Sequence, residues 1–230
     1  MVNITHTARA VRYAPCYRIV ASRMPTIHLF DRVADPDDWD ALYELESLTN
    51  PRIRNEVGEL HLVPKADRVA GPNASIVMAP FTHLSPQGTR FTNGRFGAYY
   101  AAESIDTAIA ETRYHGENFL RATRQAPIEL EKRCYLADIA CELHDLRGRR
   151  IELPEVYDPM SYAASQKLGA ELRAAGSNGV AFDSVRRAGG ECVAIFRPRL
   201  VQNVRQGVHL RYAWDGTTIS QVYEIRAINL

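Results

Sequence analysis

Apolar positions along this chain follow two different periods, and the switches between them outline the fold. After a short strand-like YRIVAS, Asp35-Pro36 supplies an N-cap oxygen followed by a proline suited to a first helical position. DDWDALYELESL then places Trp39, Leu42, Tyr43 and Glu46 at helical spacing, Asn50-Pro51 stops the run, and RIRNEVGEL reads as a second helix. In SIDTAIAETRYHGENFLRAT, Ser104 is a natural N-cap, and Ile105, Ala108, Ile109, Thr112 and Phe119 form an apolar stripe. PIELEKRCYLADIACELHDL alternates as one or two strands, and SYAASQKLGAELRAAG is a helix closing on Gly176. GVAFDSV and ECVAIFRP read as a hairpin joined by RRAGG, and GVHLRYAW and TTISQVYEI as another around Asp215-Gly216.

These elements predict an α+β fold, a mixed and largely antiparallel sheet with flanking helices. They lead us to expect a single domain over residues 1–230, with a helical N-terminal lobe at about 35–75. Strands and helices do not alternate regularly and no G-x-G-x-x-G opens a helix, which argues against a dinucleotide fold of the Rossmann type. With 230 residues the chain is long enough for a sizeable core, and 46% hydrophobic with 24% charged residues is ordinary for a soluble globular protein. A formal charge of +1 gives no global reason to expect direct nucleic-acid binding or an anionic membrane surface. The opening MVNITHTARAVRYAPCYRIV lacks the apolar stretch of a signal peptide, and no run approaches the roughly 20 residues of a membrane span. A cytoplasmic location is expected. Cys16, Cys134, Cys141 and Cys192 form no C-x-x-C pair, and the seven histidines (6, 28, 61, 83, 115, 144 and 209) show no metal-ligand spacing. No metal is expected. Arg147-Gly148-Arg149-Arg150 and the pair Arg197 and Arg199 read as solvated turns.

The densest chemistry lies in GTRFTNGRFGAYYAAESIDTAIAETRYH, where Arg90, Tyr100 and Glu111 stand ten and then eleven residues apart. The segment reads as strand, glycine turn, strand and capped helix, so the three can line one cleft. Arg90 offers a planar fork of donors for phosphate or carboxylate oxygens, and Arg95 is a weaker candidate for the same task. Tyr99 and Tyr100 must face opposite sides of a strand, so one is core while the other can stack on a flat heterocycle. Glu111 sits about 120° from Ile105 on a helical wheel, at the edge of the apolar stripe, where a carboxylate can still reach a cleft. A carboxylate beside an anomeric carbon can stabilise the oxocarbenium-like charge formed as a base departs from ribose. Ser184, in VAFDSVRR, has no G-x-S-x-G around it and suits polar contact with a ligand better than nucleophilic attack.

The arginine with its following aromatic, Arg90-Phe91, then Gly94, Tyr100-Ala101-Ala102, Thr107-Ala108 and Glu111 together resemble the core of the RES domain. GVAFDSVRRAGGECVAIFRP resembles the serine-bearing hairpin of that family, and Tyr17-Arg18-Ile19 its opening strand. The resemblance covers about residues 15 to 200. It implies an ADP-ribosyltransferase-like fold and a NAD-consuming toxin neutralised by an Xre-type antitoxin, with ADP-ribose passing to phosphate, water or a protein acceptor. On this resemblance Arg90 and Tyr100 hold NAD, Glu111 acts at the nicotinamide ribose and Ser184 contacts the nicotinamide end; Arg18 and Arg95 are further candidate NAD-binding residues. Two departures stand out: about 70 residues separate the opening strand from Arg90, and Thr92 occupies the place of the family's asparagine. The alternative from another class is a non-catalytic module that binds a nucleotide or a protein in the same cleft.

Overall fold

The computed structural model describes residues 8–22, 58–226 and 228. The helix expected from Asp35-Pro36 to Asn50-Pro51 and most of RIRNEVGEL lie outside the described residues. From Gly58 the chain passes through short 3-10 turns at Leu60–Leu62 and Lys65–Asp67 before the first described helix, α1, Ala74–Thr82.

Among the described residues, seven strands form one mixed sheet: β1 (Ala8–Ala21), β2 (Tyr99–Ala102), β3 (Ile128–Asp145), β4 (Gly179–Asp183), β5 (Glu191–Ile195), β6 (Gln202–Trp214) and β7 (Ile219–Ile225). Their order is β1-β2-β5-β4-β3-β6-β7, with β1 also pairing β3, so the first five strands close into a ring. The segment expected to give one or two strands is a single strand of 18 residues, β3. β1 pairs along one edge of β3, while β6 and then, at the end of β3, Val180 and Ala181 of β4 share the other. The β3–β4 pairing is parallel and all others are antiparallel. The register of β1 on β3 shifts between Tyr13 and Cys16, where Pro15 has no N–H to give to the ladder. Both hairpins read from the sequence, β4–β5 and β6–β7, are present.

The central strands are apolar on both faces because both faces are covered. Along β5, Cys192 and Ala194 join a cluster with Ala108 and Leu120 of α2 (Ile105–Ala122) and Leu168 and Leu172 of α3 (Ala163–Ala174). Val193 and Ile195 point the other way, into a cluster with Val77, Met78 and Phe81 of α1. Each fully buried aliphatic or aromatic side chain contributes about 1.5–3 kcal/mol. Tyr99 faces the α1 side and is fully buried, whereas Tyr100 packs towards α2. Their burial on the two covered faces shows which tyrosine is core.

Ser104 caps α2 as expected, its hydroxyl accepting from the Thr107 N–H at 3.2 Å. Phe119, expected on the apolar stripe, is instead 67% exposed, and Leu120 is buried. The second half of α2 packs on the β6–β7 hairpin rather than on the strands beneath its first turns, which rotates its contact face. Glu117 makes that junction. It accepts from Arg113 Nε at 2.9 Å, Arg121 Nη2 at 2.7 Å, Thr218 Oγ1 at 2.9 Å and the Ile219 N–H at 3.0 Å. Burial opposes its charge, but these bonds outweigh burial and bring its pKa from 4.5 down to about 2.

A carboxyl with a folded pKa below its unfolded value contributes stability above pH 4.5 that disappears as pH falls towards 2. Glu117→Ala should therefore lower unfolding stability at pH 7 by ~1–3 kcal/mol, and the difference from wild type should shrink on acidification. Urea melts of both proteins at pH 7 and pH 3 check this; a deficit that stays constant with pH would contradict it.

Candidate active-site cleft

The turn that carries Arg90 is built around Gly88. Its φ is +71°, and a Cβ there would stand 2.0 Å from the Thr92 carbonyl oxygen, so only glycine fits. Thr89 and Thr92 exchange a single bridge, closed by backbone bonds and by their hydroxyls at 2.7 Å. This bridge is all that forms of the strand expected before the glycine turn: the chain doubles back within four residues and leaves no edge for a longer ladder. Tyr100 then fastens the turn from β2. Its hydroxyl accepts from the Phe91 N–H at 2.9 Å and pairs with Thr89 Oγ1 at 2.7 Å. Burial pushes its pKa up to about 12 against the lowering effect of those bonds, so the phenol stays protonated. Its tip is spent on the turn, and its ring is what lines the cleft.

Arg90, held in this turn, is itself largely buried. Nη1 donates to the carbonyls of Val156 and Asp158, both at 3.1 Å, and the guanidinium lies 4.5 Å from the centroid of the Tyr162 ring. One arginine thus fixes the facing wall of the cleft, residues 156–162. Arg186, from the β4–β5 connection, reinforces that wall: Nη2 donates to the Pro159 carbonyl at 2.6 Å, and its Cζ stands 3.2 Å from the ring centroid of Tyr114 on α2.

Glu111 occupies the second turn of α2, and Ser184 lies at the end of β4, buried. Ser184 Oγ donates to Glu111 Oε1 at 2.6 Å, while it accepts the N–H groups of Arg186 at 3.1 Å and Arg187 at 3.0 Å. A hydroxyl has one proton and two lone pairs. With both lone pairs filled from the backbone, its proton is committed to Glu111. Ser184 is not among the residues lining the cleft, whereas Glu111 is. The serine sits behind the carboxylate and aims it.

Together these groups surround a cleft of about 720 Å³, large enough for a dinucleotide-sized ligand. Arg18, Arg90, Tyr100 and Glu111 all line it. Arg18 donates from Nη1 to the Tyr100 carbonyl at 3.0 Å and covers the Tyr99 ring at 4.8 Å. Its Nε is buried without a partner, and among the described residues it has no carboxylate beside it. Burial lowers its pKa, with Tyr99 and Tyr100 opposing the shift. A guanidinium held this way at a cleft wall favours an anion. Two arginines against one carboxylate make the lining positive. Cys192 also lines the cleft, but burial first, and then the nearby carboxylates, raise its thiol well above 9.0, so it is no nucleophile at neutral pH. Among the described residues, no three His, Cys, Asp or Glu side chains gather as a metal site, and no helix is long and apolar enough to cross a membrane.

Arg95 is exposed and stands outside the cleft. Gly94 turns the chain at φ +81° just before it, carrying Arg95 away from Arg90. The basic clusters are not merely solvated. Arg147 ties Asp145 to Glu191 and Tyr13, Arg150 donates to the Ser184 carbonyl at 2.7 Å, and Arg199 pairs with buried Asp67 at 2.9 Å. Tyr17, noted in sequence only as part of the opening strand, lines the cleft, as do Tyr162, Gln166 and His115, which were not proposed as site residues. For His115 a signal existed, since it stands four residues after Glu111 and so on the same helical face. Tyr162 and Gln166 arrive from a distant segment and carry no local signature.

The RES domain model matches residues 65–215, and the chain belongs to the RES-domain family. It is 33% identical over 210 residues to the uncharacterized protein y4oC of Sinorhizobium fredii (strain NBRC 101917 / NGR234), covering 90% of this chain and 86% of that protein. Among solved structures, the M. tuberculosis MbcT–MbcA toxin–antitoxin complex matches with 14% identity and a TM-score of 0.47 over 91% of this chain and 87% of that one.

Ser184→Ala should cost ~1–3 kcal/mol of stability, because it leaves the Arg186 and Arg187 N–H groups without their acceptor and Glu111 without its donor. A denaturant midpoint indistinguishable from wild type would show that these bonds do not hold the loop.

Proposed function

We propose that this protein cleaves the nicotinamide–ribose bond of NAD and acts as the toxin of a bacterial toxin–antitoxin pair, restrained by an Xre-type antitoxin. The observation that carries this reading is the arrangement of one aimed carboxylate, Glu111, in a cleft whose other charged walls are Arg18 and Arg90. Family membership agrees with it, since the RES resemblance implies NAD consumption.

The NAD pyrophosphate lies against the donors that Arg18 and Arg90 leave unspent, where a planar fork matches phosphate oxygens. The Tyr100 ring packs on the nicotinamide ribose. Glu111 Oε1 is held by Ser184, so Oε2 meets the sugar and its 2′-hydroxyl. As the bond between C1′ and the nicotinamide nitrogen breaks, its electron pair leaves with nicotinamide, and positive charge spreads over C1′ and the ring oxygen. A fixed carboxylate stabilises that charge without reorganising at the moment of reaction. Ser184 acts through Glu111 here, rather than by touching the nicotinamide end. ADP-ribose then passes to water, phosphate or a protein side chain.

Purified protein should consume NAD, and Glu111→Gln should lower kcat by about 10²-fold or more with folding intact. Arg18→Ala should weaken NAD binding by ~10–100-fold, the equivalent of about 1.5–3 kcal/mol for a charged hydrogen bond. Folded wild type that binds NAD without turning it over would leave the non-catalytic binding module as the better reading. Co-expression with the product of the neighbouring gene should yield a stable complex with suppressed turnover.

A further inference from the structure

Glu111 is not alone on its face of α2. His115 stands one turn further along, about 6 Å up the helix axis, and also lines the cleft. Its ring packs edge-on against Tyr114, with centroids 5.4 Å apart, and Arg186 from the β4–β5 connection covers the Tyr114 ring. His115 keeps part of its surface in solvent while it lines the cleft. Resting on the NAD-cleaving reading above, we infer that His115 is the proton acceptor for the incoming nucleophile, which makes that nucleophile an O–H or N–H group of water or a protein rather than an ionised phosphate.

The charged groups that bear on the imidazole are Glu111 on its own helix, Arg186 from the β4–β5 connection and Arg90 from the Gly88 turn. Although the residue reaches solvent, partial desolvation of its ring is the largest influence and lowers the pKa below the ordinary 6.5; Glu111 opposes this, and Arg186 and Arg90 add to it. The ring is therefore neutral at pH 7 and ready to accept a proton. A phosphate dianion brings its own negative oxygen and needs no base. Water, or a hydroxyl or amine of a protein, has to lose a proton as it bonds to C1′. The step balances as follows: C1′–N breaks with its electrons leaving on nicotinamide, C1′–O or C1′–N to the acceptor forms, and the acceptor's proton passes to His115 and then to solvent.

The test is the pH profile of NAD loss between pH 5 and 8 for wild type, His115→Asn and His115→Ala, with products separated into free ADP-ribose and label on protein. Wild type should show an acid limb with an apparent pKa below 6.5. Both variants should lose about 10²–10⁴-fold in kcat with little change in KM for NAD, and the acid limb should vanish. Added imidazole should restore part of the His115→Ala rate, which a purely structural histidine would not allow. Free ADP-ribose as product identifies water as the acceptor; label retained on protein identifies a side chain. Variants that keep the wild-type rate and acid limb overturn the role of His115 alone, as does wild-type turnover driven by phosphate with ADP-ribose phosphate as product. Wild type that folds and never consumes NAD overturns the underlying reading as well. Should His115→Asn fail to fold, His115→Gln keeps a polar group of similar reach for the same profile.

Discussion

One strand has two edges to share among three antiparallel or parallel neighbours, and the sheet is organised by how it does so. β3 gives one whole edge to β1 and divides the other between β6 and β4. A strand of ordinary length of about 5–6 residues has no room for that division. Its 18 residues allow the ring of five strands to close at one end while the β6–β7 hairpin spreads from the other. The ring brings β2, β4 and β5 side by side, so Tyr100 and the Ser184 turn arrive at the same face. The spread hairpin gives α2 a second surface to rest on, and Glu117 fastens it there. The helix is thus held at both ends, by the Ser104 cap and by the hairpin, with Glu111 between them.

Within that frame the cleft is assembled by groups that hold one another before they hold any ligand. The Tyr100 phenol secures the Arg90 turn, Arg90 secures the opposite wall, and Ser184 secures Glu111. Behind Ser184, Arg150 binds its carbonyl, and Arg147 ties β3 to β1 and β5. Such preorganisation matters for reactions that develop charge, because donors and acceptors already in place cost no rearrangement as the charge appears.

Much of this was legible in the sequence where the signal was local. The Ser104 cap, Gly176 at the end of α3 and both hairpins follow from turn chemistry and period within a few residues. The facing of Tyr99 and Tyr100 needed a neighbour, because parity alone does not say which side of a strand is covered. The roles of Arg147 and Arg150 were illegible for a related reason: a basic turn reads as solvated until its partners arrive from β1, β5 and the end of β4. Phe119 misleads because helical period assumes one contact surface, whereas α2 meets two. Glu111, Arg90 and Tyr100 were found by spacing, yet the hydroxyl that aims Glu111 comes from 73 residues away, and nothing near Ser184 announces that partner.

The double employment of Arg90 limits what substitution at that position can mean. Its Nη1 bonds two carbonyls, and its flat face lies on Tyr162, while its remaining edge meets the cleft. Lysine would keep the charge but lacks a plane to stack and a fork to divide between wall and ligand. Removing the guanidinium would loosen the wall as well as the ligand's anchor, so affinity and cleft shape are not independently tunable there. The position behaves as a shared hinge pin between scaffold and substrate: sequence drift that leaves the fold intact elsewhere would be felt here by both at once.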